Sequence, residues 1–168
     1  ISLENEFLDV KALAINSNDF TLTARGNKAS GQGVDLNYEL EAKDLSFVSS
    51  FVSDTEFAGA LKATGDVKGE LTSPQVSIDL EATELNVKEG MGAENMTLKG
   101  NGTIDLANPD LKAELKITNA MVDNRVFESI DVNARSEAGG INIVTDIKEN
   151  DQFIYDIDAL ISGLSDQQ

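Results

Sequence analysis

Residues 76–87 read VSIDLEATELNV. Val76, Ile78, Leu80 and Ala82 occupy alternate positions, with Ser77, Asp79, Glu81 and Thr83 between them. Successive side chains of a β-strand point to opposite faces, so this spacing predicts a strand that is apolar on one side and polar, largely acidic, on the other. The pattern returns as LNYELEAKDLSF at 36–47 and LKAELKITNAMV at 111–122. The same two-faced surface is built several times over.

The frame around these strands is ordinary. The chain has 168 residues, 40% of them hydrophobic and 26% charged, which suits one β segment spanning 1–168 with a sizeable apolar surface. No apolar run approaches the ~20 residues that cross a bilayer as a helix. The chain begins at Ile1 with no basic n-region and no apolar h-region, and is expected to be a fragment of a longer polypeptide. Thirteen basic residues against 30 acidic ones give a net charge of -17. That balance argues against nucleic acid and against anionic lipid headgroups, both of which require clustered Lys and Arg. It favours solubility, because the carboxylates fall mainly on the polar side of the alternating strands. Without cysteine there are no disulfides, thiolate metal sites or thiol nucleophiles, and either redox compartment is compatible.

Period-2 alternation runs through nearly the whole chain and predicts ten strands, near 5–15, 20–26, 34–43, 57–69, 76–87, 92–106, 111–122, 126–136, 140–148 and 152–161. Turn-forming stretches separate them, among them Asn16 to Asp19, Gly26 to Gly33, Ser73-Pro74, Asn108-Pro109 and Gly139-Gly140. Neither proline interrupts a predicted strand. One segment departs from the pattern. In DLSFVSSFVSD, 44–54, Leu45, Val48 and Val52 fall at helical spacing, as do Phe47 and Phe51, behind a candidate N-cap at Asp44. A short amphipathic helix is expected there, the alternative being a continuing strand.

Two strand types alternate. The first carries large apolar residues at every second position: Leu36, Tyr38 and Leu40; Val76, Ile78 and Leu80; Leu111, Leu115 and Ile117, with a looser copy at Tyr155 and Ile157. The second reads Leu-x-small-x-Gly: Leu22 leads LTARG, Leu61 leads LKATG, Leu98 leads LKGNG, and Val132 leads the degenerate VNARS. The well-formed first-type copies start at 36, 76 and 111, which leaves room for a repeated β meander. Ten strands at ~4.8 Å make a sheet on the order of 45 Å long, with its apolar side chains on one face. The small residues Ala63, Gly65, Gly100 and Gly102 thin that face, and glycine permits sharp coiling. The sheet is therefore expected to fold into a gutter lined by the residues above together with Ile104 and Ile143. Periodicity alone equally suits the inner face of a closed sandwich or barrel.

The combination FAGALKATGDVKGELTSPQVSIDLEATELNV, from 57, followed by MTLKGNGTIDL, from 96, with its Gly-x-Val-x-Gly-x-Leu-x-Ser-Pro-x-Val spacing ahead of an alternating strand, resembles the periplasmic repeat region of the TamB family, within the wider AsmA-like group. The resemblance covers most of the chain and is best from about Phe57 to Val122. It implies an all-β fold: an elongated, curled antiparallel meander, a β-taco, with an apolar groove. It implies a periplasmic location in a Gram-negative bacterium, an inner-membrane anchor outside this segment, and a TamA-like outer-membrane barrel as partner. Two roles follow from it: support of outer-membrane protein and autotransporter assembly, and carriage of phospholipid between the membranes.

The residues support carriage independently. Shielding a methylene from water is worth about 0.8 kcal/mol, so a 16-carbon chain crossing water bare would cost roughly 12 kcal/mol. A lining of Leu, Ile, Val and Gly without deep specific pockets lets such a chain slide, and an unfolded outer-membrane protein strand could occupy the same groove. The alternative is a structural spacer or adhesin-like domain with a closed core.

Catalysis is not expected. With no histidine and no cysteine, Ser-His and Cys-His chemistry is impossible and zinc is improbable. The carboxylate pairs Asp156/Asp158, Asp79/Glu81 and Glu39/Glu41 share solvated strand faces. NSND at 16–19 lacks EF-hand spacing and reads as turn chemistry. No cofactor or metal is implied.

Overall fold

The computed structural model describes residues 2–4, 7–28, 33–50, 55–70, 72–87, 90–105, 110–123, 125–137, 140–150 and 152–162. Eleven strands form one antiparallel sheet in chain order. They are β1 (Ser2–Glu4), β2 (Phe7–Asn16), β3 (Phe20–Lys28), β4 (Val34–Ala42), β5 (Phe57–Gly69), β6 (Gln75–Val87), β7 (Met91–Thr103), β8 (Asp110–Val122), β9 (Arg125–Glu137), β10 (Gly140–Glu149) and β11 (Gln152–Ser162). Each strand hydrogen-bonds to its predecessor and successor, and β1 and β11 are the two edges of a sheet that does not close. The all-β, open and curled meander expected from the sequence is the observed architecture. The closed sandwich or barrel is not.

Three boundaries differ from the sequence expectation. The strand expected over 5–15 is β2, and a short strand that was not expected, β1, precedes it, with residues 5 and 6 outside the described set. The strand expected over 92–106 ends at Thr103, because Asp105 turns its amide back to the Thr103 carbonyl (3.1 Å). The helix expected over 44–54 is a 3-10 helix of six residues, Leu45–Ser50; residues 51–54 lie outside the described set. The Asp44 carboxylate accepts from the Ser46 amide at 2.8 Å, the N-cap bond that starts the turn. Phe47 stacks on Phe20 of β3 at 5.2 Å between ring centres, and Ser49 Oγ accepts from the Phe57 amide at 2.8 Å. At the other end, the NSND stretch is a turn in which Ser17 Oγ accepts from the amides of Asp19 and Phe20.

A line of irregularity crosses β6 to β9. Thr83 pairs with Asn95 and Leu85 with Ala93, leaving Glu84 between them at φ 52. The next two ladders skip Asn119 in the same way, and its φ is 49. A left-handed non-glycine residue costs on the order of 1–3 kcal/mol and persists where its surroundings enforce it. Each such residue is an extra step that returns the apolar side to the same face. Ala82 is followed inward by Leu85, not by Glu84, and Ile117 by the buried Ala120, not by Asn119. Across the seam the Asn119 side-chain amide donates to the Glu94 carboxylate.

No large side chain is fully buried among the described residues. The buried hydrophobic residues among those described are five alanines, Ala24, Ala42, Ala63, Ala82 and Ala120. The accessible surface, 11521 Å², exceeds the roughly 8,000 Å² expected of a compact monomer of this mass. The core that a closed sandwich would fill is an open face.

Candidate functional site: an open apolar groove

Strand register assigns every side chain to a face, because directly paired residues point the same way. Four of the rows of pairs on the apolar side hold the residues named from the sequence. One row passes through Leu22, Leu40, Ala63, Leu80, Leu98, Leu115 and Val132, then through Thr145 to Ile157. The next passes through Ala24, Tyr38, Gly65, Ile78, Gly100, Ala113, Ala134 and Ile143. A third contains Leu36, Val67, Val76, Gly102 and Leu111, and a fourth Ala42, Leu61, Ala82, Met96, Ile117, Ile130, Ile147 and Tyr155. Twenty of the residues named from the sequence thus share one face.

Ile104 does not sit in a row. It lies beyond the end of β7 and is 55% exposed, held by its amide to the Pro74 carbonyl at 2.9 Å, and it borders the apolar side at the end of the hollow described next. The rows also hold residues that the sequence reading did not single out: Val67, Met96, Ile130 and Ile147. Val67, Met96 and Ile130 have the parity of a named neighbour two positions along their strands, and Ile147 that of Ile143 four positions along, so that signal was available. Thr145 is the polar interruption in an otherwise apolar row.

The glycines of β7 leave an empty stretch on this side. Gly100 lies between Ile78 and Ala113, and Gly102 between Val76 and Leu111. Four larger neighbours around two missing side chains leave a hollow of about 400 Å³ on the apolar side, bounded also by Leu98 and Ile104. That volume lies in the range of small-molecule sites. Gly65 has a different job. Tyr38 lies over it, reaching two strands away to donate its hydroxyl to the Ser77 carbonyl at 3.2 Å.

Burial, and second the charge of Asp66, hold the Tyr38 hydroxyl above its ordinary pKa of 10.0. The folded state therefore keeps this proton more tightly than the unfolded chain. The sign follows: Tyr38 contributes stability that is fully present below pH 10.0 and is lost as pH rises through the folded value. Tyr38→Phe is expected to remove this alkaline loss at a cost of about 1 kcal/mol at neutral pH, from the hydrogen bond to Ser77. Urea midpoints at neutral and alkaline pH test it; equal alkaline losses in both proteins would refute the assignment.

The opposite face is polar and charged. Lys99 Nζ meets Asp79 at 3.0 Å, Lys112 meets Glu114 at 3.0 Å and Lys116 meets Asp131 at 3.8 Å, all between exposed or half-exposed groups. These pairs are worth little individually. A hollow of about 600 Å³ on this side is lined by Thr64, Asp66, Ser77, Asp79, Lys99 and Glu114. Its charges are already paired within the protein: Asp66 with Lys68 and Ser77, Lys99 with Asp79. Among the described residues no cluster of acidic groups is arranged to hold a metal ion, and no helix is long and apolar enough to cross a membrane.

An open meander with one apolar and one charged face, repeated along the chain, is the setting in which the comparison with known proteins reads naturally. No curated protein and no solved structure matches the chain. One family does, described as TamB, N-terminal domain, over residues 3–139, which takes in β1 to β9. The match extends well to either side of the Phe57 to Val122 stretch that carried the resemblance, and with it the chain belongs to the TamB family.

Proposed function

We propose that this chain is a groove segment of a longer, periplasm-spanning protein anchored in the inner membrane, and that the groove shields phospholipid acyl chains between the two membranes. The observation that carries this reading is the uncovered apolar face: four rows of mostly Leu, Ile, Val and Ala side chains with no second layer over them among the described residues. Apolar area left in water costs about 25 cal/mol per Å², so a face this large calls for an occupant. A structural spacer would fill its core from within. The lining carries no charged side chain in the four rows, as sliding of an acyl chain requires. The role is binding and transfer, without catalysis.

Unfolded outer-membrane protein strands are a second class of occupant. The edge strand β11 favours them: one side of its backbone faces no partner strand, and Leu160 and Ile161 are exposed on it. Support of outer-membrane protein and autotransporter assembly, with a TamA-like barrel met through other regions of the full protein, fits the same groove.

Neighbouring positions of one strand provide the test. A photo-crosslinking residue at Ile78, Leu80, Leu115 or Ile117 is expected to capture phospholipid in cells, and one at Asp79, Glu81, Glu114 or Lys116 is not. Equal capture at the two sets, or capture of unfolded protein alone at the first, overturns the lipid reading.

A further inference from the structure

We propose that the open edge of β11 takes up an extended strand of another polypeptide that carries lysine or arginine at two alternate positions and apolar residues between them; this rests on the reading of β11 as a seat for unfolded protein strands. The two edges of the sheet differ. β1 is three residues long, whereas β11 runs over Gln152–Ser162 and contains no lysine and no proline, residues that commonly guard an exposed edge. Pairing with β10 uses one side of the β11 backbone, and among the described residues no strand pairs with the other. By register Tyr155, Ile157 and Ile161 share the inner face and Leu160 lies on the outer one, and all four are exposed.

Charge on the outer face selects the strand that fits. In the middle of the sheet the signs alternate from strand to strand. One row runs Glu41, Lys62, Glu81, Thr97, Lys116 and Asp131, and the row beside it contains Asp79, Lys99 and Glu114. Beyond β9 the alternation fails. Asp131 is directly opposite Asp146, and Asp146 directly opposite Asp156, so three carboxylates stand side by side with the open edge next in line. Lys116 answers the first of them, at 3.8 Å. Lys148, the basic residue of β10, stands two positions further along, opposite Ser129. The neighbouring row ends at Asp158, which faces Val144 across the ladder and accepts from the Asn142 side-chain amide at 2.6 Å.

Like charges directly opposite each other destabilise a strand pair, and opposite charges stabilise it. A strand added at this edge is therefore favoured when it sets lysine or arginine against Asp156 and Asp158, and an acidic strand is turned away. A second copy of the chain does not supply those cations: β11 holds no basic residue and β1 reads Ser-Leu-Glu. Physiological salt screens beyond about 8 Å, so the carboxylates at the edge weigh more in this choice than the distant remainder of the net charge of -17.

The experiment titrates the purified chain at physiological salt with short peptides of alternating lysine and valine, of alternating glutamate and valine, and of the first composition rearranged so that alternation is lost, and follows amide hydrogen exchange along the chain. The alternating lysine peptide is expected to bind roughly three- to thirtyfold tighter than the glutamate peptide, as two cross-strand charge pairs allow, and to slow exchange in β11. Asp156→Asn with Asp158→Asn should remove most of that preference. The matched pair Glu39→Gln with Glu41→Gln, on the outer face of the interior strand β4, should leave it unchanged. Methylating the backbone nitrogens of the lysine peptide should abolish the protection of β11, because strand addition depends on main-chain hydrogen bonds.

Circular dichroism confirms that each variant is folded. Equal affinity for the lysine and glutamate peptides with β11 protected, a preference indifferent to the change at Asp156 and Asp158, or an equal response to the β4 pair overturns the charge selection and leaves the strand reading standing. Equal binding of the rearranged peptide overturns strand pairing in favour of diffuse attraction. Protection of β11 that rises with protein concentration alone makes a second copy the occupant and overturns the inference. No protection of β11 by any peptide overturns both the inference and the strand reading.

Discussion

Leu115→Arg is expected to reduce lipid capture about tenfold or more while the sheet remains folded, since 1.4 kcal/mol accounts for each factor of ten and a charge in an apolar passage costs more than that. Leu115 is paired directly with Leu98 on one side and Val132 on the other, in the middle of the longest apolar row. A guanidinium there either surrenders part of its hydration when an acyl chain arrives or holds water in the groove, and both outcomes disfavour the lipid. Lys116→Arg is the control: the next residue points to the charged face and keeps its partner Asp131 at 3.8 Å. Because the groove is open, arginine can bend its head toward solvent, and cooperative melting should survive. A folded Leu115→Arg protein that captures lipid as the native one does would show that the rows are not the passage.

The second large effect is on the fold and separates two glycines that look alike in sequence. Gly65→Ala is expected to destabilise by about 2–3 kcal/mol, lowering the melting temperature by roughly 4–12 °C. A Cβ at Gly65 would run into the Ser77 carbonyl and the Tyr38 ring, and the backbone atom cannot step aside without moving β6. Gly100→Ala should change stability by less than about 1 kcal/mol, with a gain as plausible on physical grounds as a loss. Its Cβ would meet the tip of Ile78 at 3.2 Å and otherwise only ordinary contacts, and alanine loses less entropy on folding. Thermal melts of the two variants decide it. Equal shifts would mean that Gly65 is not a point of close approach and that Tyr38 does not fix the coil of the sheet there.

Much of this protein is written in short-range pattern. Alternation at 34–42, 76–82 and 111–117 determines strands and faces by itself, since strand side chains have no choice but to alternate. Turn residues between the strands set the meander, because short connections join antiparallel neighbours. Charge settles which face meets water. The two-residue polar steps Thr83-Glu84 and Thr118-Asn119 were equally visible, yet a strict period of two runs past them. Only the paired strands show that Glu84 and Asn119 adopt left-handed backbone to keep Leu85 and Ala120 on the apolar side. The Leu45–Ser50 turn is an intermediate case: its helical spacing was legible, whereas the contact that docks it, Phe47 on Phe20 of β3, is supplied only by the fold.

What the tertiary structure alone decided is whether the apolar face is covered. A row such as Leu80, Leu98, Leu115 and Val132 satisfies a closed sandwich and an open gutter equally well, because alternation records which side is apolar and nothing about what lies opposite it. The same holds for the glycines. Gly65 and Gly100 occupy one row, but Tyr38 reaches over the first, and among the described residues only the tip of Ile78 comes within 3.2 Å of where a Cβ at the second would lie. Whether a missing side chain becomes a close contact or a hollow is set by the neighbouring strands, and those are brought together only by folding.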